Sequence, residues 1–319
     1  MKAAVVLGAG QTPVYGDFPE PFASPGEQRI AVTAAALSPL VRGRASGAHY
    51  SSSGQFPFVA GVDGVGRLDD GRRVYFLAPK APYGSMAEKT IAPAAHYIAL
   101  PDELDDATAA AIANPGMSSW AAYKERAMLK AGETVLINGA TGAAGRLAVQ
   151  IARHFGAAKV IATARNRDAL KSVAALGADV TIPLVEDGKA LEEAFRQQFA
   201  AGVDVVIDYL WGASAERLLT AAAKAGRGAA PMRFVQVGSA SGPDITLPSA
   251  VLRSSAIALM GSGLGSVSTE RLVASIGELL HATAPGGFAI AAKSVPLSEV
   301  EQAWLNDDSG RRTVFTVGS

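Results

Sequence analysis

Gly139, Gly142 and Gly145 recur at intervals of three in the stretch Thr134-Val-Leu-Ile-Asn-Gly-Ala-Thr-Gly-Ala-Ala-Gly-Arg-Leu-Ala-Val-Gln-Ile-Ala-Arg-His-Phe-Gly156. Glycines so placed let bare backbone N–H groups come up against an anionic phosphate. The spacing is a relative of G-x-G-x-x-G: the first glycine makes a tight turn, the second admits a pyrophosphate, and the third lets helix and strand pack closely. Context gives the pattern its force. An apolar run precedes it, as a strand would, and Leu147, Ile151 and His154 or Phe155 follow at helical spacing. The stretch reads as a βα unit for a dinucleotide, with Ala140, Thr141, Gly142, Ala143 and Ala144 lining the phosphates.

Which dinucleotide is decided at the end of the next strand, where a carboxylate binds a free ribose 2′-hydroxyl and arginine accommodates a 2′-phosphate. Arg165, Asn166 and Arg167 stand there, with no acid before Asp168. A guanidinium is a planar fork of charged donors matched to phosphate, so NADPH is favoured over NADH. The other reading is two arginines on a solvated helix start. Asp168 fits either, as an acid in the first turn of a helix. Two further glycine clusters compete. Gly61-Val-Asp-Gly-Val-Gly66 runs into Arg67-Leu-Asp-Asp-Gly-Arg72, a hairpin with no helix start for a phosphate, and reads as a structural bend. Gly261-Ser-Gly-Leu-Gly265 follows a strand, so Gly263 lies either beside the nicotinamide or in a plain loop.

Composition narrows the remaining chemistry. Lysine plus arginine equals aspartate plus glutamate at 29 each, which lacks the electrostatic footprint of a nucleic-acid or anionic-membrane binder. The chain has no cysteine, which excludes disulfides, thiolate nucleophiles and Cys-ligated zinc. His49, His96, His154 and His281 are scattered and form no zinc-type pairing, so no metal site is expected. The short apolar start reads as a first strand rather than a signal peptide, and no apolar run approaches a membrane span. A cytoplasmic protein acting on small molecules is the expectation.

The 319 residues suggest two domains. Residues 1–113 carry short strand signals at 3–6, 29–35, 64–68, 72–76, 88–91 and 96–99, broken by glycine and proline. A β-rich unit follows from this, with a long irregular loop over 37–58. A helix over 106–113 is expected to break at Asn114-Pro-Gly116 and resume over 117–129. From 134 to 260 strands and helices alternate, which predicts a doubly wound parallel sheet for 114–284. Residues 285–319 return to strand signals and are expected to rejoin the first domain.

Taken together, four segments are similar to the medium-chain dehydrogenase/reductase superfamily, in its zinc-free quinone oxidoreductase branch. They are Phe56-Pro-Phe-Val-Ala-Gly-Val-Asp-Gly-Val-Gly66, Tyr83-Gly-Ser-Met-Ala-Glu88, Asn138-Gly-Ala-Thr-Gly-Ala-Ala-Gly145 and Pro296-Leu-Ser-Glu-Val-Glu-Gln-Ala-Trp304. The resemblance implies an α/β fold with a GroES-like β-rich catalytic domain and a Rossmann domain. Where zinc-dependent members place a cysteine and a Gly-His-Glu, this chain has Ser38 and Gly61-Val62-Asp63. Reduction of an ordinary carbonyl gives a poorly stabilised alkoxide that calls for a metal or an acid, whereas a quinone or enone gives a delocalised phenolate or enolate that hydrogen bonds can hold. The implied reaction is therefore hydride transfer from NADPH to a quinone or an α,β-unsaturated carbonyl.

The same resemblance supplies candidate contacts. Tyr50 corresponds to a tyrosine lining the active-site cleft, as hydrogen-bond or proton donor; it is otherwise a surface aromatic. Ser38 and Val41 stand where relatives often carry asparagine and aspartate. Ser118 corresponds to a Thr/Ser near the nicotinamide, or is a helix cap. Tyr209, Val237 and Gly238 end strands on the cofactor face, and Arg311 and Arg312 either reach it from the C-terminal segment or form a solvated hairpin. An enoyl-thioester reductase is the second enzymatic reading. A structural or sensory NADPH-binding protein is the non-enzymatic one, prompted by Ser38 and Val41. A short-chain reductase is excluded, since none of the seven tyrosines has lysine four residues later. The strand at 257–260 resembles the family's edge strand that pairs across a two-fold axis, implying a homodimer.

Overall fold

The computed structural model describes residues 1–48, 52, 54–185, 188–226, 228–306 and 310–318. Two compact units emerge: residues 1–114 with 276–319, and residues 115–275. The first boundary falls within one helix and the second within another.

The discontinuous unit is antiparallel for most of its length. Strands β1 (Lys2–Val6), β2 (Val14–Asp17) and β4 (Phe58–Val59) form a small sheet in the order β2-β1-β4. A larger one joins β3 (Glu27–Ala36), β5 (Asp63–Leu68), β6 (Arg73–Leu77), β7 (Lys89–Pro93) and β8 (Tyr97–Ala99) to β15 (Ala292–Pro296) and β16 (Arg312–Thr316). Val314, Phe315 and Thr316 pair with Ala36, Ala35 and Ala34, so the last strand is laid on β3. Its core holds Ala35, Val41, Ala45, Met86, Leu297, Val300, Trp304 and Phe315, drawn from both ends of the chain.

Helix α1 (Pro39–Ser46) occupies the first part of the stretch expected to be an irregular loop. The signal was local: Ser38 caps the helix by accepting from the Val41 N–H, Pro39 begins it, and Gly47 ends it at φ 78°. Only Val41 and Ala45 of this helix are buried, so it has almost no amphipathic stripe to announce it. Helix α2 (Asp106–Ala121) passes through Pro115 without stopping, against the expected break at 114–116. The missing N–H costs one helical bond, on the order of 3 kcal/mol. Complete burial of residues 109–113 and near-complete burial of Trp120 offset it. The resumed helix expected over 117–129 ends earlier, in a wider turn over Ala122–Ala127 closed by Met128 at φ 47°.

The second unit is a six-stranded parallel sheet with strand order β11-β10-β9-β12-β13-β14. Its strands are β9 (Thr134–Asn138), β10 (Lys159–Ala164), β11 (Val180–Pro183), β12 (Val205–Asp208), β13 (Met232–Gln236) and β14 (Ile257–Gly261). Between them run α3 (Ala143–His154), α4 (Arg167–Ala174), α5 (Gly188–Gly202), α6 (Gly212–Lys224) and α7 (Ser249–Arg253). α8 (Thr269–Thr283) follows the sheet and α9 (Val300–Leu305) precedes β16. Leu136, Ile161, Val206 and Phe234 of the sheet pack with Phe195, Phe199, Leu218 and Leu219 of α5 and α6. The order reverses between β9 and β12, which sets a crevice at the C-terminal ends of those strands.

The glycines at 61–66 serve backbone approach and not a ligand. A Cβ on Gly66 would lie 2.3 Å from the Ala31 carbonyl oxygen, and one on Gly61 would lie 2.2 Å from Ser85 Oγ. Asp63, between them, is buried; Tyr75 donates its hydroxyl to one carboxylate oxygen at 2.7 Å, and the other has no hydrogen-bond partner. Burial pushes this carboxyl up to about 6, against the Tyr75 hydrogen bond and the charge of Arg312. A raised carboxylate pKa means the folded chain holds the proton more tightly than the unfolded one. Its contribution is therefore favourable below the ordinary value of 3.8 and is lost, by about 3 kcal/mol, as pH rises through about 6. Asp63→Asn should gain Tm relative to the parent protein between pH 4 and pH 7 in thermal melts; a difference constant with pH contradicts this.

Candidate functional site

The crevice is built from strand ends that are polar where the rest of each strand is apolar. Asn138, Thr163 and Asp208 lie in or end neighbouring strands and are completely buried. Register places Asn138 beside Thr163 on one side and Asp208 on the other. Thr163 donates to Asn138 Oδ1 at 2.6 Å, and Asn138 Nδ2 donates to Asp208 Oδ1 at 2.8 Å and to Ser214 Oγ at 2.9 Å. Asp208 also accepts the backbone N–H groups of Leu210 and Trp211. Burial pushes its carboxyl up, opposed by those backbone donors and by Asn138. The bonds hold Trp211 in a left-handed backbone conformation, φ 57°, ψ −154°, a strain on the order of 1–3 kcal/mol for a non-glycine residue.

Above this network sits the glycine turn. Gly139 takes φ 92°, and the N–H groups of Gly139 and Ala140 both bond the Thr163 carbonyl. A Cβ on Gly139 would touch Leu210, and one on Gly145 would lie 2.3 Å from the Gly139 carbonyl oxygen. These two glycines are required by the protein's own backbone. Gly142 differs, since a Cβ there would meet nothing within 4 Å. It caps α3 at φ −72° with no side chain bonded to the first-turn N–H groups. Open space beside uncapped amides at the positive end of a helix suits a phosphate, while the Ala140 N–H, already bonded to Thr163, is not among those free donors.

Around the turn the structure gathers several of the expected residues. Tyr209 follows β12, and its hydroxyl lies 2.7 Å from Ser119 Oγ. Ser119 Oγ also lies within hydrogen-bond range of the Ala144 carbonyl at 3.1 Å and the Pro115 carbonyl at 3.3 Å. Close packing pushes the Tyr209 phenol up to about 12, so it stays protonated. Ser118, half-buried, donates to the Pro115 carbonyl. Val237 and Gly238 both bond the Asp208 carbonyl, and a Cβ on Gly238 would lie 2.8 Å from the Tyr209 carbonyl oxygen. Gly263 stands in an open loop after β14, bonded to Ser266.

Arg165, Asn166 and Arg167 are exposed at the end of β10. Asn166 caps α4 by accepting from the Ala169 N–H at 2.9 Å. Arg165 has no carboxylate partner among the described residues. In the other unit, Ser38 is buried and its oxygen is engaged in capping α1. Val41 is buried, and Arg312 acts on Asp63; Tyr50 lies outside the described residues. Among the described residues no three His, Asp or Glu side chains cluster as metal ligands would, and no helix is long and apolar enough to cross a membrane. Asn138, Thr163, Asp208 and Ser119 escaped the reading of the sequence. For Asn138, Thr163 and Asp208 the signal is a polar residue at or next to the end of an apolar strand, legible only once strand order puts residues 70 apart side by side; Ser119 lies in α2 and is recognised only by its contacts.

The fold and crevice define a class: the chain belongs to the medium-chain dehydrogenase/reductase superfamily, in its quinone oxidoreductase-like branch, and is an oxidoreductase. A zinc-binding dehydrogenase family model matches residues 143–279. A protein of Emericella nidulans named "Probable NADPH-dependent quinone reductase tdiC" is 32% identical over 361 residues, covering 99% of each chain. A "Mycocerosic acid synthase-like polyketide synthase" of Mycobacterium tuberculosis is 32% identical over 243 residues, 72% of this chain and 11% of that protein. Among solved structures, the quinone oxidoreductase of Thermus thermophilus, also crystallised with NADPH, superposes with a TM-score of 0.81 at 28% identity, covering 99% of this chain and 100% of that one.

The two kinds of glycine predict opposite outcomes. Gly145→Ala should lower stability by about 1–3 kcal/mol in denaturant melts, because the new Cβ overlaps backbone. Gly142→Ala should cost about 1 kcal/mol or less, since alanine is a poorer N-cap than glycine but meets no clash. It should nonetheless weaken NADPH binding roughly tenfold in a cofactor-fluorescence titration, one lost phosphate contact being worth about 1.4 kcal/mol.

Proposed function

We propose that this protein reduces a quinone or an α,β-unsaturated carbonyl without a metal. The protein is an NADPH-dependent oxidoreductase, and NADPH held by the glycine turn supplies the hydride. The observation that carries the metal-free reading is the donor set. The chain has no cysteine, and the positions that resemble those used by zinc-dependent relatives hold Ser38, which caps α1, and Gly61-Val62-Asp63, whose one carboxylate is buried and bonded to Tyr75. What remains for the reacting oxygen is hydrogen bonding, which suffices for a charge spread over a phenolate or enolate. Ser118, Ala140, Thr141, Gly142, Ala143, Ala144, Tyr209, Val237, Gly238 and Gly263 are the proposed cofactor contacts. Arg165, Asn166 and Arg167 receive the 2′-phosphate. Tyr50 and Ser38 are proposed on the substrate side.

Steady-state assays with 1,4-benzoquinone and with simple enones test the reading; tight NADPH binding without turnover of either class would sink it. Arg165→Ala should raise the KM for NADPH by roughly tenfold or more and leave that for NADH nearly unchanged, as expected for a lost charge-assisted phosphate contact. Equal effects on both cofactors contradict the 2′-phosphate assignment.

The similarity to one segment of a polyketide synthase keeps an enoyl-thioester acceptor as the second reading. A crotonyl thioester in the same assay separates it from the free enones. Assembly as a homodimer is proposed through β14, which lies at the edge of its sheet and exposes Leu259. Light scattering at micromolar concentration should give twice the chain mass, and Leu259→Lys should shift it toward monomer.

A further inference from the structure

Arg146, the residue after the last glycine of the turn, is not a phosphate ligand in any reading above, yet its side chain ties together the two places where the cofactor's phosphates are proposed to bind. Its Nε donates to the Thr141 carbonyl at 3.0 Å, inside the glycine turn. Its Nη2 donates to Ser172 Oγ at 2.9 Å, on α4. Ser172 in turn donates to the Ala169 carbonyl at 2.7 Å, and the Ala169 N–H is the donor to the capping Asn166. A continuous run of hydrogen bonds thus leads from the residue before Gly142 to the residue between Arg165 and Arg167. A guanidinium suits this role because its donors lie in one rigid plane and point in different directions, so one side chain can fix two elements at a set separation.

We propose that Arg146 is a specificity-determining positioning residue, a brace that sets the distance between the pyrophosphate turn and the 2′-phosphate site and so enforces preference for NADPH. The inference rests on the assignment of the 2′-phosphate to Arg165–Arg167. NADPH engages both ends of the brace, and any slack between them is lost from its binding. NADH lacks the 2′-phosphate and engages only the turn, so the placement of α4 matters little to it. A ligand carrying the 2′-phosphate alone, such as 2′-AMP, engages only the other end.

The test measures dissociation constants of NADPH and NADH by fluorescence, and 2′-AMP as a competitor, on the full chain. Arg146→Ala should weaken NADPH roughly tenfold, the size of one charge-assisted hydrogen bond, and NADH and 2′-AMP by less than about twofold. Arg146→Lys should behave like Arg146→Ala, because an ammonium keeps the charge and cannot span both acceptors. Ser172→Ala should move NADPH in the same direction and add little to Arg146→Ala, since each breaks the same link. Three outcomes would overturn the brace: equal losses for NADPH and NADH, a parallel loss for 2′-AMP that marks Arg146 as a direct phosphate ligand, or full rescue by lysine. Failure of the underlying assignment looks different, because Arg165→Ala would then leave 2′-AMP binding unchanged whatever Arg146 does.

Discussion

The parallel-sheet unit depends on one buried carboxylate. Asp208 sits without solvent at the reversal of strand order, and a desolvated carboxylate is costly unless its lone pairs are filled. Asn138 and the amides of Leu210 and Trp211 fill them. Because those donors come from a neighbouring strand and from the following turn, satisfying the charge forces the strand ends into register and the turn into its strained form. Leu210 is thereby set against Gly139, and Tyr209 is delivered to Ser119 and the start of α3. The shape of the crevice thus follows from supplying hydrogen bonds to one buried side chain.

Two separate demands on glycine follow from the same packing. Gly139, Gly145 and Gly238 are glycines because protein atoms occupy the space of a Cβ, whereas Gly142 is a glycine with nothing in front of it. The second kind leaves room for a ligand, and here it does so at a helix start with uncapped amides. The segment at 61–66 shows why the distinction matters: its three glycines make a phosphate-like pattern, yet each lies against the chain itself.

What could be read from the chain divides along the range of the interaction. The glycine turn, the helix behind it, and Arg165 at the end of β10 are local: each is fixed by residues within one βα unit, and periodicity exposes them. Helix α2 shows local reasoning overruled, since the proline signal at 115 is real and burial outweighs it. Helix α1 was hidden because its burial rests on two small side chains, leaving only its cap as a sign. Helix α8 does carry a stripe, Leu272, Ile276, Leu279 and Leu280, but it lies beyond the last strand of the alternation. The polar network was illegible for another reason: Asn138, Thr163 and Asp208 each look like an ordinary strand end, and only the strand order shows that they meet.

The pairing of β16 with β3 has a consequence for how the chain is made. The first unit cannot close its larger sheet until residues 312–316 exist, some 280 positions after the strand they join. The parallel unit, in contrast, lies within residues 115–275. Synthesis proceeds from the N-terminus, so the parallel unit is complete while the unit that encloses it in sequence still waits, with the edge of β3 at residues 34–36 unpaired, for its β15 and β16 strands. Residues 1–114 are therefore made before the parallel unit and finish folding after it.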